Sequence, residues 1–266
     1  VPSAAPSAGA GGDPHFFTWS GAHYDFHGHC DLVLLQAPHF PSPAGTNQGL
    51  AIHIRSSAVR RVFSFISDAA LRIGDDILEV GAGGKHHING QPQEHAGSGG
   101  ETTTTFGGLS LTTSRTKKGR SVYHIKTGTG KEEIVFREFK DWISISIYHA
   151  NGNHFGNSTG LMGTFDGGIW MGRDGLTVHQ DINDYGLDWQ VQPQTDGSLF
   201  QSPSPFPDRC ELLSEKKLRG RRLLQEGTVS RDEALQACAN WGTQVDDCVS
   251  DVLIADDVEL AEIGPV

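Results

Sequence analysis

Apolar and polar residues alternate with a period of two along much of this chain, in short runs separated by glycine-rich turns. Residues 142–148 carry three isoleucines on one face of an extended chain, and Leu50, Ile52 and Ile54 share a face in an earlier run. Such alternation is typical of half-buried strands. Residues 32–35 are continuously apolar, which indicates a strand buried on both faces. The pattern predicts a mainly β fold, an antiparallel sandwich or barrel.

Changes of composition divide the chain into three parts. Residues 1–11 are small, uncharged and proline-containing, which predicts a flexible linker. The strand pattern then runs to about residue 210, and its last part is a proline-rich surface connector. Residues 211–266 predict a small helical appendage, because Ser230 and Glu233 have the spacing of a capping box ahead of an alanine-rich run.

Charge and hydropathy limit the partners. The 266-residue chain has a net charge of −11 at neutral pH, which argues against binding to nucleic acid or to anionic membrane surfaces. A run of apolar residues long enough to span a bilayer is not found in the sequence, so no membrane insertion is predicted. An acidic surface is compatible with cations.

The four cysteines are an even number, which fits two disulfides and an oxidising compartment. Cys238 and Cys248 are close enough in sequence to pair, which leaves Cys30 and Cys210 to tie the first strands to the segment after the sandwich. The alternative is four buried thiols in an intracellular protein.

Two further motifs point to modification in a secreted protein. Asn157 begins the one glycosylation sequon, Asn157-Ser158-Thr159. Arg219-Gly220-Arg221-Arg222 has the Arg-x-x-Arg pattern that furin-like proteases cut, here after Arg222. The competing interpretation of this segment is a basic helix face that balances nearby glutamates.

Histidines and an aspartate alternate near the start of the chain. In an extended strand His23, Asp25, His27 and His29 would lie on one face, which could hold a metal. The favoured interpretation is a polar, solvent-facing side of a strand.

Three motifs in order carry a family resemblance. The first is Gly12-Asp13-Pro14-His15, continued by Thr18-Trp19-Ser20-Gly21 and Tyr24-Asp25-Phe26 and ending at Cys30. The second is the loop of residues 160–167, and the third is the segment of residues 183–191 that contains Trp189. Together they resemble the von Willebrand factor type D domain over about residues 12–210. The resemblance implies a two-sheet antiparallel β-sandwich.

The family resemblance also implies a function. It implies an extracellular, non-enzymatic adhesion or assembly module whose partner is an extracellular protein, a glycan, or a surface or matrix polymer. It implies that Cys30 pairs with Cys210, while Met162 stands where the family has a loop cysteine. The alternative, from another class, is a secreted β-sandwich hydrolase with an acid–base pair that the sequence does not reveal.

Calcium binding is the first specific expectation from the resemblance. The family's site takes oxygens from the early turn, here Ser20, and from the central loop, here Thr164, Asp166 and Asp174. Calcium prefers six to eight oxygen ligands. With two carboxylates in this set, the expected site is weak.

Self-cleavage between Asp13 and Pro14 is the second expectation, because some proteins that the chain resembles, with the same Gly-Asp-Pro-His sequence, cut themselves there. The Asp13 carboxylate can attack its own main-chain carbonyl and form a cyclic anhydride, with proline as the leaving group. His15 is placed to protonate the leaving nitrogen, and mildly acid pH is expected to favour its imidazolium form. The competing interpretation is an ordinary turn that enters a strand.

Overall fold

The computed structural model describes residues 6–59, 63–95, 97–127, 131–165, 170–213 and 227–266. Its strands form two antiparallel sheets, which confirms the predicted two-sheet β-sandwich. In chain order the strands are β1 (Ala8–Gly11), β2 (His15–Phe17), β3 (His23–Asp25), β4 (Gly28–Ala37), β5 (Leu50–Val59), β6 (Phe63–Ile73), β7 (Asp76–Val80), β8 (His86–Ile88), β9 (Gln91–Pro92), β10 (Glu101–Phe106), β11 (Leu109–Arg115), β12 (Ser121–Lys126), β13 (Glu133–Phe139), β14 (Trp142–Tyr148) and β15 (Glu211–Leu212).

The two sheets contain different parts of the chain. Over the described ranges the first has the order β10-β11-β12-β13-β14-β1-β2-β3, and the second has the order β15-β4-β5-β6-β7-β8-β9. The apolar run within β4 is fully buried, as the sequence predicted. The isoleucines of β14 are also fully buried, and they belong to the same core as the β4 leucines. That shared core lies between the sheets and supplies most of the apolar burial that stabilises the fold.

Strand β1 corrects the prediction of a flexible linker through residue 11. Ala8–Gly11 is buried and pairs on one side with β14 and on the other with β2. Its small residues are required because space is short. A Cβ at Gly9 would lie 2.5 Å from the carbonyl oxygen of Ile145 and 2.2 Å from a methyl carbon of Val266. Residues 8–11 therefore form a tightly packed strand although their composition is typical of a linker.

The helices are short and lie mostly near the C-terminus. They are α1 (Gly152–Phe155), α2 (Ile182–Asp188), α3 (Arg231–Ala237) and α4 (Val245–Ala255), with 3₁₀ turns at Ala82–Gly84, Gly242–Gln244 and Val258–Ile263. Helix α3 begins with the predicted capping box of Ser230 and Glu233. Within the described ranges, no helix is long and apolar enough to cross a membrane.

The C-terminal helices pack on the first sheet and are not an isolated appendage. Trp241 and Val252 form a second apolar cluster with Phe139 and Trp142 of the sandwich. Because this cluster covers one face of β14, Ser144 and Ser146 of that strand are buried as well as its isoleucines. The described part of the C-terminal region is therefore part of the folded unit that holds β1 and β2.

Both predicted disulfides are present. Cys30 pairs with Cys210 across 180 residues of sequence, and Cys238 pairs with Cys248 across 10. Two disulfides indicate an oxidising environment.

The long disulfide is expected to contribute more stability than the short one. Replacing both Cys30 and Cys210 with serine should lower the free energy of unfolding by about 5 kcal/mol in the chain-entropy account, against about 3 kcal/mol for the pair Cys238 and Cys248. Urea unfolding of the two double variants checks the order. Equal losses would contradict the loop-length argument.

Candidate functional site

The Asp13–Pro14 bond lies in the tight turn between β1 and β2. Gly12, in this turn, has a φ of +63°, a left-handed conformation that favours glycine. A Cβ at Gly12 would also lie 2.1 Å from Oδ2 of Asp251, a residue of α4. The glycine thus allows both the turn and the close approach of a carboxylate from the C-terminal helix.

Asp13 is held by its backbone while one oxygen of its side chain has no hydrogen bond. Its N–H donates to Oδ1 of Asp251 at 2.8 Å, and the residue is 3 % exposed. Its Oδ1 lies 3.2 Å from Nδ1 of His27, an ion-pair distance, but the angles at this contact are not those of a hydrogen bond. Burial raises the pKa of Asp13, and the neighbouring His27 partly offsets that effect.

His15 lies between two carboxylates. Its Nδ1 is 2.8 Å from Oδ1 of Asp25, and its Nε2 is 3.4 Å from Oδ1 of Asp251. Burial disfavours the charged ring, but the interactions with Asp25 and Asp251 outweigh burial and raise the pKa of His15 to about 11. The imidazolium form is therefore the main form at neutral pH, without the acidification that the sequence suggested.

Helix α4 supplies residues that sequence reasoning missed. Asp251 is buried, and Asp247, one helical turn earlier, lies 3.9 Å from Nδ1 of His15 and 3.6 Å from Nε2 of His23. Burial, together with the charges of Asp25 and Asp251, raises the pKa of Asp247, and the nearby histidines partly offset this. Like charges at i and i+4 destabilise an isolated helix. The spacing of Asp247 and Asp251 was therefore the sequence signal that this face of α4 lies against positively charged groups, here His15 and His23.

The space beside this site is small. A cavity of about 10 Å³ is lined by Gly12, His15, Asp247 and Asp251, together with apolar residues of the C-terminal segment. A volume of this size holds about one water molecule. The arrangement can therefore support chemistry on the chain's own backbone and admit a water, but it has no room for a peptide or a sugar.

The alternating face of residues 23–29 does not form one cluster. His23 and Asp25 join His15, and ligand atoms of these three residues all lie within 4.8 Å of one another, so that they could hold a metal. His27 turns to Asp13, and His29 lies 3.8 Å from Glu211. The chain leaves β3 at residue 25 and enters β4 at residue 28, so the four residues do not share one extended strand.

The residues of the expected calcium site give it little support, and the site stays a prediction. Asp174 accepts hydrogen bonds from the N–H groups of Leu176 and Thr177 and from the Thr177 hydroxyl, and these lower the pKa of Asp174 to about 2. The hydroxyl groups of Ser20 and Thr18 form a hydrogen bond of 2.9 Å. Thr164 precedes Asp166, which lies outside the described residues.

The modification motifs also stay predictions. Asn157 is exposed, as a glycosylated asparagine must be. Arg222 and the basic segment before it lie outside the described residues.

The first two sequence motifs meet in the core. The Trp19 N–H donates to the Met162 carbonyl at 3.1 Å, and the Tyr24 hydroxyl donates to the Leu161 carbonyl at 2.5 Å. Met162, in the position of the family's loop cysteine, is fully buried. The structure thus brings together segments that are distant in sequence and on which the resemblance depends.

Comparison with known proteins adds no relative. The chain matches no protein-family model, and no curated protein is significantly similar to it. The resemblance to the von Willebrand factor type D domain therefore rests on the motifs alone and stays a prediction.

Proposed function

We propose that this chain is a self-cleaving module of an extracellular adhesion or assembly protein, and that it cuts its own Asp13–Pro14 bond once. The observation that carries the proposal is the state of Asp13. Its carboxylate is buried beside His27, which lies at ion-pair distance from Oδ1, while Asp251 accepts its N–H. A nucleophile held beside its target gains most of its advantage from such positioning.

The chemistry requires one covalent step in cis. A carboxylate oxygen of Asp13 bonds to the main-chain carbonyl carbon of Asp13, and the bond from that carbon to the Pro14 nitrogen breaks. The nitrogen leaves with a proton from His15, and a five-membered cyclic anhydride remains at residue 13. One water then opens the anhydride to two carboxylic acids.

The size of the cavity favours self-cleavage over turnover of a foreign substrate. Asp13 and Asp25 have pKa values shifted in opposite directions, the first raised by burial and the second lowered by His15 despite its own burial. Such a pair is what the hydrolase alternative needs. The adjacent cavity of about 10 Å³, however, has room for a water and not for a substrate. A larger cleft of about 370 Å³ has Asp208 as the one ionisable group among its lining residues.

The extracellular location and the class of partner have weaker support than the cleavage site. Two disulfides fit the oxidising space outside the cell. The motifs resemble those of extracellular assembly domains, and the net charge of −11 disfavours nucleic acid as a partner. Within this proposal the partner is an extracellular protein, a glycan or a matrix polymer. Weak calcium binding near Asp174 belongs to the same proposal.

The test is a time course on the purified chain. It is held at neutral pH and at about pH 5.5, and intact mass and N-terminal sequencing follow the products. The proposal expects a new N-terminus at Pro14, formed with first-order kinetics at a rate that does not change on dilution. A chain that stays intact in both conditions contradicts the proposal, and a rate that falls on dilution indicates a contaminating protease.

The two products are expected to stay together after cleavage. Strand β1 pairs with both β14 and β2, so residues 8–11 remain in the sheet when the turn is cut. Both disulfides lie downstream of the cut. Native size exclusion should therefore recover both products in one peak, and denaturant without reductant should separate them. Loss of residues 1–13 under native conditions would contradict this expectation.

A further inference from the structure

The second feature of this region is a set of nitrogen and oxygen ligands drawn from three elements. Strand β2 contributes Nδ1 of His15, strand β3 contributes Nε2 of His23 and an oxygen of Asp25, and helix α4 contributes the carboxylate of Asp247. We propose that these four residues bind a divalent transition-metal ion of the Zn²⁺ class.

The distances between the ligand atoms suit a four-coordinate ion. Nδ1 of His15 lies 2.8 Å from Oδ1 of Asp25 and 3.9 Å from Oδ1 of Asp247. Nε2 of His23 lies 3.6 Å from Oδ1 of Asp25 and 3.6 Å from Oδ2 of Asp247, the second oxygen of that carboxylate. Bond lengths of about 2.0–2.2 Å put the ligand atoms of a tetrahedral zinc about 3.3–3.6 Å apart. Movements of the exposed side chains of His23 and Asp25, with a rotation of the Asp247 carboxylate, would bring the four atoms to those separations.

Surrounding groups orient the two histidines. Asp251 faces Nε2 of His15 at 3.4 Å, the carboxylate that commonly supports a metal-bound histidine on its other nitrogen. The ring of His23 stacks on Phe17 with centroids 4.5 Å apart and planes within 6°. Asp251 and Phe17 thus restrict the positions of the two rings.

Charge and access also favour a cation. Asp13, Asp25, Asp247 and Asp251 crowd around His15, His23 and His27, so carboxylates outnumber the histidines that could neutralise them. An ion can enter from solvent because the side chains of His23 and Asp25 are 38 % and 49 % exposed. Imidazole nitrogen suits zinc, cobalt and related ions and does not suit calcium, which takes oxygen ligands. This site is therefore distinct from the expected calcium site.

The experiment titrates the metal-free purified chain with Co²⁺, reads the visible spectrum of the bound ion, and then displaces Co²⁺ with Zn²⁺. It compares Asp247→Asn and His23→Gln with a matched control, Asp246→Asn, which removes the neighbouring exposed charge of the same helix. An ion on Nδ1 of His15 replaces the proton of the imidazolium form that self-cleavage uses, so the titration is read from the Co²⁺ spectrum alone and cleavage is measured separately on the metal-free chain.

The site predicts a four-coordinate Co²⁺ spectrum that Zn²⁺ removes and an excess of Ca²⁺ does not. Asp247→Asn and His23→Gln should each weaken binding by more than about 10-fold, at least the loss usual for a supporting residue, while Asp246→Asn leaves the affinity unchanged. Absence of the spectrum, displacement by Ca²⁺, or equal affinities in all three variants would overturn the proposal.

Discussion

Asp13→Asn is expected to abolish the appearance of the Pro14 N-terminus on the time scale of the unmodified chain. Asparagine keeps the size of the side chain but has no carboxylate to close an anhydride, so the covalent step loses its nucleophile. The measurement is the intact-mass time course on the variant and the unmodified chain side by side.

His15→Gln separates the roles of the two residues. Loss of a general acid typically slows a reaction by about 10²–10⁴-fold, so this variant should cleave slowly where Asp13→Asn does not cleave. His29→Gln is the matched control, since His29 faces Glu211 and not Asp13. A rate in Asp13→Asn equal to that of the unmodified chain would show that another group cuts the bond.

Asp251→Ala is expected to slow cleavage about 10²-fold, because misplacement of reacting groups by about an ångström costs that much. The substitution removes the acceptor of the Asp13 N–H and a charge beside His15. Asp251→Asn should recover part of the rate, since its amide oxygen can still accept the Asp13 N–H. Intact-mass kinetics again give the rates.

Two controls make the Asp251 result specific. Asp246→Ala removes a carboxylate from the exposed face of α4 and should leave the cleavage rate unchanged. Thermal unfolding of each variant shows whether α4 still packs on the sheet. A folded Asp251→Ala variant that cleaves at the unmodified rate would show that α4 has no part in the reaction.

The architecture could be predicted because its signal is local. Alternating isoleucines in β14 and the apolar run in β4 predict strands from neighbouring residues alone, and the capping box of Ser230 and Glu233 marks the start of α3 in the same way. Strand β1 was missed because alanine and glycine carry no alternation. Its burial depends on Ile145 and Val266, which are distant in sequence.

The same difference between local signals and contacts of distant residues applies to the candidate site. The Gly-Asp-Pro-His turn carries the nucleophile, the leaving group and the proton donor within adjacent residues, so the sequence could predict it. Asp251 and Asp247 meet this turn across more than 230 residues of chain, only because α4 packs against β2. The partners of His27 and His29 were likewise not predictable, since they depend on where β3 ends and β4 begins.

The central claim is that the carboxylate of Asp13 cuts its own peptide bond through an anhydride, and cleavage in ¹⁸O-labelled water tests it most directly. Water can open an anhydride at either carbonyl carbon, so the account predicts that part of the label enters the side-chain carboxyl of Asp13 in the released peptide of residues 1–13. Fragmentation mass spectrometry distinguishes the two carboxyl groups. Direct hydrolysis of the peptide bond labels the main-chain carboxyl alone, and finding the ¹⁸O there and never in the side chain would contradict the account.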